Sequence, residues 1–314
     1  MYLLRHRPAP PALSATIRAA YRRVLGRDTN VSDLPLLLLR TLYGDRVSVR
    51  TKAGFPILID TRDRYGAFKL WRTGVYEAPE TAFFVRFARP GMRVVDVGAN
   101  IGYFSVLLGR AVGSGGKVVS LEPSAATAAI CRSNLERNGL GDVVELLEVA
   151  AGIESSAATL FVDRDHASNN ALYDHRLAGS KPREAQRVDV VPLDDVASGM
   201  GPIDLLKIDV EGAEVSAVRG ARETLGASPS IVVCCEVAPR WLRAAGHRPE
   251  ELLNEFAAYG FDAYELDARG ALQTIDPYER AAYLERADGG NNFCFIRPHA
   301  VEEFSRAGRV VVGQ

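Results

Sequence analysis

The residues with the clearest chemical meaning are carboxylates that close apolar runs. Glu122 follows KVVSL, Asp209 follows IDLLKI, and Glu236 follows IVVCC. A carboxylate at the end of a buried strand can accept hydrogen bonds from ligand hydroxyls, take up a proton or ligate a hard cation. Glu211 and Glu214 come just after Asp209. Acids in the first turn of a helix are favoured by its dipole, which is a sufficient structural account of either one. Glu211 therefore stands between a structural and a chemical role. The polar segment 164–186 adds His166 and His175 as candidate bases. Asp96 closes RVVD and leads into a glycine turn containing Gly98, Asn100 and Gly102.

That turn, within RVVDVGANIGYFS, predicts a strand, a tight reversal and a helix. Val94 and Val95 are β-branched, and Ile101, Phe104, Leu107 and Leu108 recur at helical spacing. The helix N-terminus points its N–H groups back at the turn, the place where open α/β sheets bind nucleotides. Counted from Gly98, a dinucleotide fingerprint would need glycine at positions 100 and 103. The chain has Asn100 and Tyr103 there. Without the second glycine, close approach to a diphosphate is disfavoured. The retained Asp96 suits a ligand with a cationic amino-acid end, such as S-adenosylmethionine. Glu122, one strand further on, is placed to accept both ribose hydroxyls; dinucleotide enzymes share that feature, so it does not separate the two classes.

The elements that must position these groups follow in order. Ser124 is a good N-cap for ATAAICRSNLERN, and Gly139 a good stop. Val143 to Ala150 predicts a third strand. IDLLKIDVEGAE, SIVVCCEV and NNFCFIRP predict the later ones, giving an α/β fold on a largely parallel sheet. Between them, Thr159–Asp163 and Arg187–Pro192 predict short strands around the 164–186 segment, read either as a lid or as a surface excursion. Upstream, residues 1–45 form a helical extension with an amphipathic helix over 13–27 and a second over Ser32–Tyr43. A β-hairpin over Val47–Ile59 comes next, then a helix capped by Asp63 and another opened by Pro79. The main domain is placed at 46–300 and a C-terminal tail at 301–314.

The 314 residues are 47% hydrophobic and 25% charged, with a net charge of −1. There is thus no global basic field to draw nucleic acid. Four cysteines without a C-x-x-C pair predict buried, reduced thiols. The N-terminal MYLLRHRPAP lacks an apolar signal core, and no apolar run approaches the ~18 residues of a membrane span. A cytoplasmic protein without stable membrane insertion is expected.

VVDVGANIGYFS with the preceding GVYEAPET, SLEPS with SNLERNGL, and above all LLKIDVEGAEVSAVRGA resemble the FkbM-type S-adenosylmethionine-dependent methyltransferases. The likeness spans roughly residues 60–300. It implies a class I methyltransferase (Rossmann-like) sheet of seven strands, order 3-2-1-4-5-7-6, with the last strand antiparallel. It implies O-methylation of a sugar, glycolipid or polyketide-type hydroxyl. By position, Asp96, Gly98, Asn100 and Gly102 would surround the methionine part, Glu122 the ribose, and Ala150, ending the third strand, the adenine. The segment AAGIESS departs from the family, which more often has an acid soon after the alanine pair. Asp209 and Glu236 are the expected catalytic residues, with Glu211 and His175 behind them. A metal-free base is favoured over a divalent cation shared by Asp209 and Glu236. A nucleotide-dependent oxidoreductase and a non-catalytic binding module on the same fold are the alternatives.

Overall fold

The computed structural model describes residues 40–63, 66–163, 170–174, 183–275, 282–285, 291–310 and 312. The helix expected over 13–27 and residues 32–39 of the one expected over Ser32–Tyr43, together with His166 and His175, lie outside the described residues; residues 40–43 are helical. Strands β1 (Arg46–Arg50) and β2 (Pro56–Asp60) form the expected antiparallel hairpin. Asp63 caps the next helix, Gly66–Thr73, by accepting from Gly66 N and Ala67 N at 3.3 and 3.2 Å. The buried Asn134 amide ties the hairpin to the body. It accepts from Leu58 N at 2.6 Å and donates to Leu58 O and Ile101 O at 3.0 and 2.8 Å.

The central sheet contains β3 (Arg93–Val97), β4 (Lys117–Leu121), β5 (Val144–Leu147), β9 (Leu205–Ile208), β10 (Val232–Val237), β11 (Asp262–Leu266), β12 (Leu272–Thr274) and β13 (Asn291–Ile296). Their order is β12-β11-β13-β10-β9-β3-β4-β5. The run from β10 to β5 is parallel, and β13 is antiparallel to both β10 and β11. The sheet has eight strands rather than the expected seven. The additional one arises because Asp267 Oδ1 accepts from Arg269 N and Ala271 N, both at 2.8 Å. This Asx turn folds β12 back along β11.

A second correction concerns Ala150. The third parallel strand stops at Leu147, and Ala150–Ala151 forms β6 of a separate three-stranded sheet with β7 (Ser156–Val162) and β8 (Glu184–Val191), order β6-β8-β7. There β6 runs parallel to β8, which pairs antiparallel with β7. The small Ala–Ala–Gly run lets the chain leave the main sheet closely packed: a Cβ on Gly220 would meet the Gly152 carbonyl.

Apolar side chains alternate across the parallel strands into two layers. Val94, Leu205 and Cys234 pack under the helices Ala78–Phe87, Tyr103–Val112 and Ala125–Arg137. Val95, Leu206 and Cys235 pack under Glu214–Arg219 and Pro249–Ala258. All four cysteines are free and buried. The expected 300/301 boundary falls inside the helix Pro298–Arg306, whose Phe304 ring meets Phe87 edge-on at 5.2 Å. Residues 301–310 belong to the packed body because this helix has a buried apolar side. No helix among the described residues is long and apolar enough to cross a membrane.

Candidate active site

A cavity of about 640 Å³ opens at the carboxyl ends of β3, β4, β9 and β10, within the usual range for small-molecule sites. Gly98, Asn100, Glu122, Ala150, Asp209, Glu211 and Glu236 all line it. The structure therefore gathers seven of the ten residues that the family resemblance assigns to cofactor or catalysis. Asp96 and Gly102 do not line it, and His175 lies outside the described residues.

Gly98 is required by the chain's own backbone. Its φ is +83°, and a Cβ there would land on the Asp209 carbonyl. Gly102, φ +85°, faces away from the cavity, where a Cβ would crowd Cys131 Sγ at 2.7 Å. Both expected ligand-side glycines thus serve close packing of strand and helix. Asp96 is fully buried beneath the turn, since its register puts it on the same side of β3 as Val94, facing the helices. Its Oδ2 accepts from Ser105 Oγ at 2.7 Å, while Oδ1 has no partner.

Glu122 stitches the turn to β4. Oε2 accepts from Asn100 N at 3.0 Å and Oε1 from Ser124 N at 2.9 Å. Each oxygen keeps a further lone pair for a ligand hydroxyl. Burial pushes this carboxyl up to about 7, against the pull of those two N–H groups. Val149, Ala150, Leu160 and Leu172 form an apolar wall nearby. Ala150 therefore keeps its place at the cavity although its strand assignment changes. Leu172 shows that part of the 164–186 segment reaches the cavity.

Opposite Glu122 the cavity is acidic. Asp209 Oδ2 pairs with Lys207 Nζ at 2.9 Å. Lys207 is 2% exposed and stands 5.0 Å from the Phe104 ring centroid. It is the register neighbour of Asp96 on β3. Burial works against the ammonium charge, but Asp209, Asp96 and Glu77 outweigh it and raise its pKa. Single ligand atoms of Asp209, Glu211 and Glu236 lie within 4.8 Å of one another. Oε2 of Glu211 and Oε2 of Glu236 are buried without a partner. Burial, reinforced by Asp209, holds both glutamates well above the usual carboxylate range. Glu214 is structural: it accepts from Gly212 N at 3.1 Å and Val210 N at 3.3 Å and closes the turn.

Four further residues were not assigned a role from sequence: Glu77, Glu80, Lys207 and Asn292. Glu77 lines the cavity with Oε2 unpartnered, and burial, then Asp209, raises its carboxyl to about 8. Glu77, Asn100 and Glu211 are the three non-glycine residues with positive φ among the described residues, and all line this cavity. Such backbone strain persists where surrounding structure enforces it, commonly at functional sites. For Lys207 a signal was present: a lone lysine inside the buried run LLKID must have a partner.

Residues 96–263, more than half of the chain, match the Methyltransferase FkbM domain. Over 159 residues the chain is 33% identical to methyltransferase sdnD of Sordaria araneosa, covering 41% of this chain and 60% of that protein. Over 146 residues it is 27% identical to a catechol O-methyltransferase of Mycobacterium tuberculosis, covering 44% and 62%. The chain thus spans less than two thirds of the length of these relatives. An O-methyltransferase of Bacillus cereus, solved with SAH, is a distant structural likeness: 16% identity over 90% of this chain and 97% of that one, TM-score 0.40. On the strength of the match over residues 96–263, the chain belongs to the FkbM-type S-adenosylmethionine-dependent methyltransferase family.

Proposed function

We propose that this protein transfers the methyl group of S-adenosylmethionine to a hydroxyl oxygen of a sugar, glycolipid or polyketide-type acceptor, with residues 46–300 and the helix Pro298–Arg306 packed on them as the catalytic unit. The observation that carries the reading is that Glu122 and Asp209, at the tips of different strands, face one cavity. The donor set fits the cofactor. Glu122 offers unused lone pairs for two ribose hydroxyls, and Val149, Ala150, Leu160 and Leu172 offer an apolar wall for a flat base. The strained Asn100 turn would meet the methionine part. When bound, S-adenosylmethionine supplies a methyl carbon made electrophilic by its sulfonium.

The chain's own work is then alignment and proton handling. Holding the acceptor oxygen in line within the cavity supplies up to about 7–11 kcal/mol. Asp209 presents a carboxylate to the acceptor hydroxyl and takes up its proton, contributing about 10²–10⁴-fold. Lys207 fixes the Asp209 side chain from the buried side, leaving Oδ1 for the cavity. Glu236 orients a second acceptor hydroxyl.

The test is transfer of a labelled methyl group to hydroxylated acceptors, run beside titration calorimetry with S-adenosylmethionine. Binding of the cofactor together with label on an acceptor oxygen is expected. Asp209→Asn should lower turnover by about 10²–10⁴-fold while leaving cofactor affinity unchanged. Failure of the protein to bind S-adenosylmethionine would refute the reading, and label recovered only on nitrogen or carbon would refute the hydroxyl as acceptor.

A further inference from the structure

We propose that Asp209, Glu211 and Glu236 form a binding site for one hard divalent cation on the acceptor side of the cavity. The inference rests on the methyl-transfer reading for its purpose, but not for its geometry. One oxygen from each side chain already lies within 4.8 Å of the others. Oxygens around a common Ca²⁺-sized ion are at most about 5 Å apart, and around Mg²⁺ about 4 Å, so closure by less than an ångström suffices for either.

The charges are unbalanced in the direction a cation would correct. When ionised, the three carboxylates carry three negative charges, against which Lys207, shared with Asp96 and Glu77, and Arg183, acting on Glu211, are the facing cations. Glu211 and Glu236 each bury an oxygen with no partner in the protein. Ionising such a carboxyl is expensive unless the charge is paired or coordinates a metal.

A second observation comes from outside the trio. Glu80, on the helix Ala78–Phe87, is only 7% exposed, lines the same cavity, and leaves Oε2 unpartnered. Its carboxyl accepts a hydrogen bond from the Asn292 side chain. Asn292 is in turn the register partner of Glu236 across β13 and β10. Glu80 thus adds a further buried, unpartnered carboxylate oxygen to the lining of the same cavity. A cation here would polarise the acceptor hydroxyl, with Asp209 then holding the ion in place of acting as base and the hydroxyl proton passing to a carboxylate outside the trio, Glu77, which lines the same cavity.

The test uses Mn²⁺ alone on the ligand-free protein, followed by the loss of its free-ion paramagnetic resonance signal. One Mn²⁺ per chain is expected, displaced by Mg²⁺ or Ca²⁺. Changes to residues merely supporting a metal ligand cost 10–100-fold in affinity, so Glu236→Gln, a ligand change, should cost about 100-fold. Glu211→Gln should act similarly, while Glu145→Gln, an exposed ion pair with Lys117, should change nothing. S-adenosylmethionine affinity reports folding and cofactor binding separately. A Glu236→Gln variant that binds the cofactor normally but has lost Mn²⁺ supports the site. Wild-type protein that binds the cofactor but no Mn²⁺, or variants that retain full Mn²⁺ affinity, overturns it.

Discussion

Replacing Lys207 by Met tests the electrostatic frame of the site most directly. The ammonium is 2% exposed and 2.9 Å from Asp209 Oδ2. Its removal leaves three carboxylates without their shared cation: Asp209, the fully buried Asp96 and Glu77. Met keeps the stem volume over the Phe104 ring, so the packing cost is small. Removing one partner of a buried ion pair costs about 3–5 kcal/mol. The Asp209 side chain is 19% exposed, so water from the cavity screens part of the loss. The lower end, about 3 kcal/mol, is expected on that ground. Against a typical total of about 5–15 kcal/mol this is a large fraction. It corresponds to roughly 6–12 °C in melting temperature at about 2–4 °C per kcal/mol. Urea unfolding at neutral pH measures it. Asp209→Asn in the Lys207→Met background should return part of the loss, with a coupling of about 1–3 kcal/mol in the double-mutant cycle. A Lys207→Met protein within about 0.5 kcal/mol of wild type, where exposed positions fall, or a strictly additive cycle, would refute the reasoning.

Glu122→Ala removes a charged acceptor and should weaken S-adenosylmethionine binding by about 1.5–3 kcal/mol in titration calorimetry; unchanged affinity would remove Glu122 from the ribose site. Stability should depend on pH through the raised carboxyls: the folded chain holds the Glu77 proton to about 8 and the Glu122 proton to about 7, whereas an unperturbed Glu releases it at 4.5. In that window the unfolded chain binds fewer protons, so the melting temperature of ligand-free protein should fall from about pH 5 to about pH 8, and Glu77→Gln should flatten part of the slope; a rising curve unaltered by Glu77→Gln would contradict the assignment. Gly98→Ala should cost more than about 3 kcal/mol, because left-handed strain adds to a collision with backbone. Gly54→Ala, at φ +89° with nothing within 4 Å of the added carbon, should cost only about 1 kcal/mol, and equal losses at the two sites would refute the collision.

What the sequence made legible follows periodicity and position. The parallel strands announced themselves as apolar runs, and the acids that close those runs, Glu122, Asp209 and Glu236, came with them, because an acid within a strand buried on both faces needs a partner there, as Asp96 has in Ser105. The glycine turn was equally legible, but its reason was not. Gly98 and Gly102 read as room for a ligand, whereas the added carbon would meet Asp209 backbone and Cys131. Room made for a ligand and room made for a neighbouring element leave the same residue in the sequence. Strand membership failed at Ala150 for a related reason: Ala–Ala–Gly has no strong period, and the switch from β5 to β6 is decided by pairing with β8, some forty residues away.

The acids missed from sequence share another property. Glu77 and Glu80 precede or open a helix, where the dipole alone accounts for acids, so their types carry no excess information. Their meaning arises only when the helix Ala78–Phe87 is folded over the sheet and its first turn meets the tips of β9 and β10. Glu77 and Glu211, 134 positions apart, then stand in left-handed backbone on the same cavity, each with an unpartnered buried oxygen. Two segments that would relax separately are held in strained conformations with uncompensated carboxylates, and a packed fold retains such costs where they serve a ligand. That convergence, rather than any single motif, sets the Asp209 side of this cavity apart from its Glu122 side. Glu122 is satisfied by backbone N–H groups, so Glu122→Ala should disturb the resting turn as well as the proposed binding. On the Asp209 side the buried oxygens of Glu211 and Glu236 have no partner, and neutral substitutions such as Glu236→Gln should be tolerated by the fold or even stabilise it while the proposed turnover falls.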